Sequence, residues 1–190
     1  FTLEHILKIF HEKNINEFER IKFVVPHGAY LRPDGILALC LAIKPISTCK
    51  KIEFAGDLDI LNYLARMDFF KYLGISFDER FQRHNSKGKF LPISPISISN
   101  DIKYAIDLLC EIIIANYDNA KNLLPAFEWC TNEITCNIIQ HANAESALIC
   151  AQSFPKTKYL RIAICDNGVG ILKSFGNSEY RPSNHQEALR

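Results

Sequence analysis

The sequence predicts a mixed α/β chain of the α+β kind: a small α/β layer followed by a second module of helices and strands. Three observations predict it. Residues 1–75 alternate short β-rich runs with helical stretches. Residues 76–99 change character, first polar and basic, then rich in Pro, Ser and Ile. Residues 100–190 present two helices, two apolar strands and a glycine turn, in that order. The chain therefore divides into a module over 1–75, a linker over 76–99 and a second module over 100–190.

The elements follow in order. Ile21-Lys22-Phe23-Val24-Val25 is a short strand closed by the turn Pro26-His27-Gly28. Pro33-Asp34-Gly35 opens a stretch with apolar Ile36, Leu37, Leu39, Cys40, Leu41 and Ile43. It reads as a buried helix that Pro45 ends. Lys51–Ala55 is a second strand. Leu58–Tyr72 reads as one helix, with Leu61, Leu64, Ala65 and Phe69 at helical spacing and Gly74 as its stop. The cluster Phe69-Phe70-x-Tyr72-Leu73 reads as core. Leu91–Ser99 has two prolines and Ile/Ser alternation, which fits an extended linker or an edge strand. Ser99 or Asn100 then caps a helix, Asp101 complements its dipole, and Ile102, Ala105, Ile106, Leu109 and Ile113 form its apolar face. A second helix runs from about Pro125 to His141, with Phe127, Ile134 and Ile138 available to pack on a sheet. Ala147–Ala151 and Tyr159–Cys165 are the strands that follow.

Composition bounds the function. The chain has 190 residues, 48% hydrophobic and 23% charged, which is ordinary for a folded protein and unlike a disordered one. No apolar run reaches the ~18 residues of a membrane span. Basic and acidic side chains number 14 and 11 up to residue 100 and 8 and 10 beyond it, so neither half carries a nucleic-acid footprint. None of the seven cysteines is spaced C-x-x-C, and most sit among apolar neighbours. This points away from disulfides and zinc and toward a reducing cytoplasm. The first residue is Phe and the last segment is charged, as in a piece of a longer protein.

Chemistry concentrates in the second half. Glu133, Asn137 and His141 are spaced i, i+4, i+8. Each step of four turns only ~40° and rises ~6 Å, so a carboxylate, an amide and an imidazole share one helix stripe. On its own such a stripe is most often a solvated polar face. Asp166-Asn167-Gly168-Val169-Gly170 comes directly off an apolar strand, and its glycines permit a sharp turn with close backbone access. D-x-G-x-G alone is a weak signal. Rossmann and P-loop patterns both fail: there is no G-x-G-x-x-G, and Gly88-Lys89-Phe90 lacks the rest of a P-loop.

Together the two pieces are specific. Glu133-x-x-x-Asn137-x-x-x-His141, followed by Asp166-x-Gly168-x-Gly170, resembles the N box and first glycine box of the GHKL ATPases. That superfamily includes the gyrase B subunit, mismatch-repair ATPases, histidine kinases and anti-sigma-factor kinases. The resemblance covers roughly residues 100–175 and implies a truncated two-layer α/β sandwich there, with ATP and Mg²⁺ as cofactors. It implies that Asn137 ligates magnesium on the nucleotide phosphates, as a hard cation wants oxygen donors. Asp166 would accept a hydrogen bond from the adenine amino group, where guanine carries a carbonyl. Gly168 and Gly170 would let the backbone approach the base, and His141 would frame the helix end near the phosphates. Glu133 matches the general base of the hydrolysing members and the acceptor-positioning acid of the kinases.

The second module departs from that family in lacking a lid and a second glycine-rich box between Asn177 and Arg190. His27 and His84 sit in a turn and a polar loop and do not read as phosphorylated histidines. The first half resembles, more loosely, a STAS module, through its strand, its Pro33-Asp34-Gly35-Ile36 helix start, its second strand and the helix before Gly74. Arg32-Pro33-Asp34-Gly35 lacks the serine of phospho-switching STAS modules. The resemblances imply an ATP-binding module of a kinase or ATPase that acts as a cytoplasmic regulatory switch, with a protein partner or phosphoryl acceptor. The competing expectation is a catalytically inactive member of the fold that acts by interaction or sensing. A DNA-linked ATPase is disfavoured by the flat charge distribution.

Overall fold

The computed structural model describes residues 17–97, 99–175 and 179–188. Gly176 and Asn177, where the segment without a second glycine box begins, lie outside them. The architecture is α+β, with a two-stranded parallel sheet and a three-stranded antiparallel sheet.

In the first half, β1 (Arg20–Val25) pairs in parallel with β2 (Lys51–Gly56), joined through α1 (Pro33–Ser47). Pro33 occupies the first turn of α1, where its missing N–H costs nothing. Pro45 does not end α1 as expected. It sits in the last turn, and the helix continues to Ser47. Proline here forfeits one ladder hydrogen bond, to the Leu41 carbonyl, and the helix runs only two residues further.

The single helix expected over Leu58–Tyr72 is two: α2 (Leu58–Arg66) and α3 (Phe69–Leu73). Asp68 breaks them, with a left-handed φ of 61°. Its carboxylate accepts a 2.7 Å hydrogen bond from Arg83, which also donates to the Ala65 carbonyl at 2.8 Å and pairs with Glu79. The polar loop before β3 thus ties down the break. Gly74 stops α3 as expected. Phe69, Phe70 and Leu73 are buried, and Phe54 meets Phe23 face to face and Phe69 and Phe70 edge on.

Residues 90–95 are a strand, not an irregular connection. β3 (Phe90–Pro95) is an edge of the sheet ordered β3-β4-β5, beside β4 (Ala147–Phe154) and β5 (Tyr159–Asp166). Leu91 pairs with Ala151 and Ser94 with Ile149, so Pro92 and Ile93 together face one residue of β4 in a bulge. Proline cannot donate to the ladder, and the bulge turns the Ile93 N–H to the Met67 carbonyl, 3.0 Å away in the first half.

The antiparallel sheet is covered on both faces. Leu148, Cys150 and Ala163 face a core built with Ile36, Leu37, Cys40 and Ile43 of α1. Ala147, Ile149 and Ala151 face a core built with Ile102, Ala105, Ile106 and Leu109 of α4 (Ser99–Asn116). Successive strand side chains point to opposite faces, which is why one apolar strand serves two cores. Ser99 and Asn100 lie within the first turn of α4, and Asp101 accepts from the Ser97 N–H and hydroxyl. A short 3₁₀ turn, Ala120–Asn122, leads to α5 (Leu124–His141). After β5 come α6 (Gly170–Ser174) and α7 (His185–Ala188). Tyr180 folds back against Phe175, with ring centroids 5.6 Å apart.

No helix among the described residues is long and apolar enough to cross a membrane. All seven cysteines are free thiols.

Candidate functional site

Helix α5 explains the stripe at one end of the candidate site. Phe127 and Ile138 pack toward α4 and the sheet, while Thr131 and Thr135 are buried between them. The Thr135 hydroxyl donates to the Thr131 carbonyl at 2.8 Å, so this buried polar face is satisfied within the helix. Ile134 was expected on the packing face, but it is exposed. The helix is rotated so that Thr131 and Thr135, spaced i, i+4, take the buried centre and Ile134 falls at its edge.

That rotation leaves Glu133, Asn137 and His141 on the solvent side. All three are exposed, and none makes a hydrogen bond or ion pair among the described residues. His141 lies in the last turn of α5, where a basic side chain complements the helix dipole.

The glycine turn is the other half of the site. Asp166 ends β5, half-buried, opposite Ala147 of β4. Its Oδ1 accepts the Gly168 N–H at 2.8 Å, which closes a tight turn of the Asx type. Asn167 locks the turn to the segment before β4: its N–H donates to the Ser146 carbonyl at 3.1 Å, and its Oδ1 accepts the Ser146 N–H at 2.9 Å. The Val169 N–H donates to the Ala142 carbonyl at 2.8 Å. Ala142 is the C-cap of α5, so the turn satisfies a carbonyl at the helix end.

Gly168 is required here by contact. A Cβ at this position would meet the Ala142 carbonyl oxygen at 2.2 Å and the Ala142 Cβ at 2.8 Å. Gly170 differs. It has open space around it but a φ of +75°, a left-handed conformation at the start of α6.

The structure therefore brings the Asp166–Gly170 turn onto the C-terminal end of the helix that carries Glu133, Asn137 and His141. Among the described residues no hydrogen bond or ion pair joins Asp166 to the three stripe residues. Sequence reasoning missed Ala142 and Asn167. Asn167 carried a signal, as Asx residues beside glycine favour turns. Ala142 carried none, because it acts through a backbone carbonyl that any residue would supply.

The electrostatics are simple. Burial first, and then the Asp166 carboxylate beside it, push the Cys165 thiol up. Among the described residues no three His, Cys, Asp or Glu side chains converge as a metal site would need. A magnesium ion would thus be held by few protein oxygens, from Asn137 or Glu133, and otherwise by phosphates and water. That is the usual arrangement for this cation with nucleotides. Asp166 keeps one carboxylate oxygen outside the Asx turn, a fitting acceptor for an amino group. No protein-family model, no curated protein and no solved structure matches this chain.

Proposed function

We propose that α5, the β4–β5 hairpin and the Asp166–Gly170 turn form the adenine-nucleotide end of a GHKL-type ATP-binding module. The observation that supports this most is the seating of the turn on α5. Gly168 lies against Ala142 so closely that no side chain fits, while Asp166 is held by the Gly168 N–H with one oxygen left over. The Val169 N–H bond to the Ala142 carbonyl already gives the turn a capping role, so the base-reading role rests on the remaining Asp166 oxygen and the open backbone beside it. A base-reading carboxylate needs a fixed direction and an open backbone beside it.

In this reading Asp166 accepts the adenine amino proton and disfavours guanine, which presents an acceptor at the same place. Asn137 would hold magnesium through its amide oxygen, and the ion would neutralise phosphate charge. Glu133 would orient or deprotonate the attacking group, and His141 would stand at the phosphate side of the helix end. The whole protein would then act as a kinase or ATPase of the regulatory-switch type in the cytoplasm. The STAS-like half would receive or transmit the signal, and a protein partner would be the acceptor.

The second reading is a member of the fold that senses or binds without turnover. One observation favours it: Glu133 has no partner among the described residues to orient it, whereas a working base is normally held by a third group. The test of both is nuclear magnetic resonance with ADP and then ATP·Mg²⁺. Shifts clustered at 133–141 and 166–170 support the nucleotide site. Shifts elsewhere, or none at millimolar nucleotide, contradict it. Phosphate release that Glu133→Gln removes supports the enzyme over the sensor.

A further inference from the structure

A cleft of about 250 Å³ lies away from the glycine turn, at the carboxyl ends of the parallel strands β1 and β2. It is walled by Tyr30 from the loop after β1, by Ile60 and Tyr63 of α2, and by Gln152 and Phe154 of β4, with Asp59 among the residues lining it. Ligands favour this part of open α/β layers because the loops there diverge and leave a crevice. Walls of this kind, apolar and aromatic with a few polar groups, are those of small-molecule sites.

The chemistry of the walls selects the ligand. Three of the named walls are aromatic, and the one carboxylate or cationic side chain among the lining residues is Asp59, which is exposed and makes no ion pair among the described residues. Tyr63 and Gln152 satisfy one another, the hydroxyl donating to the amide oxygen, so they offer no strong unmet demand. Aromatic faces carry negative potential and attract cations that are weakly hydrated. The Phe154 ring already holds a cation in this structure, the guanidinium carbon of Arg161 lying 5.7 Å from its centroid, so a ligand cation would meet the rings of Tyr30 and Tyr63 instead.

We propose that this cleft binds a compact organic ammonium compound, seated against Tyr30 and Tyr63 with its charge toward Asp59. The site spans the two halves of the molecule, since β4 runs from Phe154 at the cleft back to Ala147, which is paired with Asp166. An occupant would therefore touch the same strand that positions the glycine turn.

The test is a titration of the 190-residue chain with choline and with its neutral carbon isostere, 3,3-dimethylbutan-1-ol, followed by intrinsic tyrosine fluorescence and calorimetry. Choline should bind at least tenfold tighter than the isostere. Asp59→Asn and Tyr30→Ala should each remove that preference while leaving the thermal midpoint within a few degrees of the parent, because both side chains are exposed. Equal binding of the two probes, no binding of either, or a preference that survives both substitutions would overturn the proposal.

Discussion

A methyl group at position 168 would sit 2.2 Å from the Ala142 carbonyl oxygen, so Gly168→Ala must push the turn off α5. Forcing extra atoms into such a contact costs about 1–3 kcal/mol. Gly170→Ala meets open space and suffers only its left-handed backbone, a strain of about 1–2 kcal/mol. We expect both variants to melt below the parent, with Gly168→Ala alone also losing adenine-nucleotide affinity; differential scanning calorimetry and titration with ADP separate the two. Asn137→Ala should weaken Mg²⁺-dependent ATP binding and leave adenosine binding within a factor of about two. Equal loss of adenosine and ATP would make Asn137 structural. At this scale the sequence was a good guide to the turn alone. Asp166 and Gly168 read as a tight turn because few other residue types make one. Their docking on Ala142 was not legible, since it depends on a backbone oxygen and on where two distant elements end.

Asp57 shows how an element is held by one side chain. It caps α2, with its carboxylate accepting the Asp59 N–H at 3.0 Å and the Ile60 N–H at 3.3 Å. It also accepts from Gly28 N–H and from His27, which joins the end of β1 to the start of α2. Burial raises its pKa, but the hydrogen bonds from Ile60, Gly28 and Asp59 and from His27 together hold it below the usual carboxylate range. A carboxyl whose pKa falls on folding stabilises the fold above its unfolded value, about 3.9, and loses that contribution as pH drops through the lower folded value. Asp57→Asn should therefore be less stable than the parent at pH 6, and the gap should close progressively below about pH 4. Urea unfolding at several pH values reads this; a gap that is constant with pH would mean the cap works without its charge. Elements were legible to within a few residues where periodicity was strong, as in α5 and the two hairpin strands. Reading failed where tertiary contacts override local preference. Arg83 helps hold Asp68 in a left-handed turn inside a stretch whose apolar spacing is continuous, and buried threonines rotate Ile134 outward.

The two halves of the molecule share a core, and this is the feature the sequence concealed most. A boundary near residues 76–99 follows from composition, yet Leu148, Cys150 and Ala163 of the second sheet pack with Ile36, Cys40 and Ile43 of α1. One clue was present: Ala147–Ala151 is apolar at every position, as a strand covered on both faces must be. A shared core predicts cooperative unfolding. Cys40 and Cys150 are fully buried, one in each half, and both thiols are pushed up mainly by burial. Under mild urea they should label with a thiol reagent at matching rates, after the exposed Cys49 and Cys130 react. Labelling of one well before the other would mean that the halves open separately. The central claim, that the turn on α5 reads adenine, is tested most directly by calorimetric titration of ATP and GTP into the parent and Asp166→Asn. Loss of a charge-assisted hydrogen bond, about 1.5–3 kcal/mol, predicts ATP binding 10- to 150-fold weaker in the variant, with the parent preferring ATP to GTP. Equal ATP affinity in the two proteins, or a parent that binds GTP as well as ATP, would contradict it.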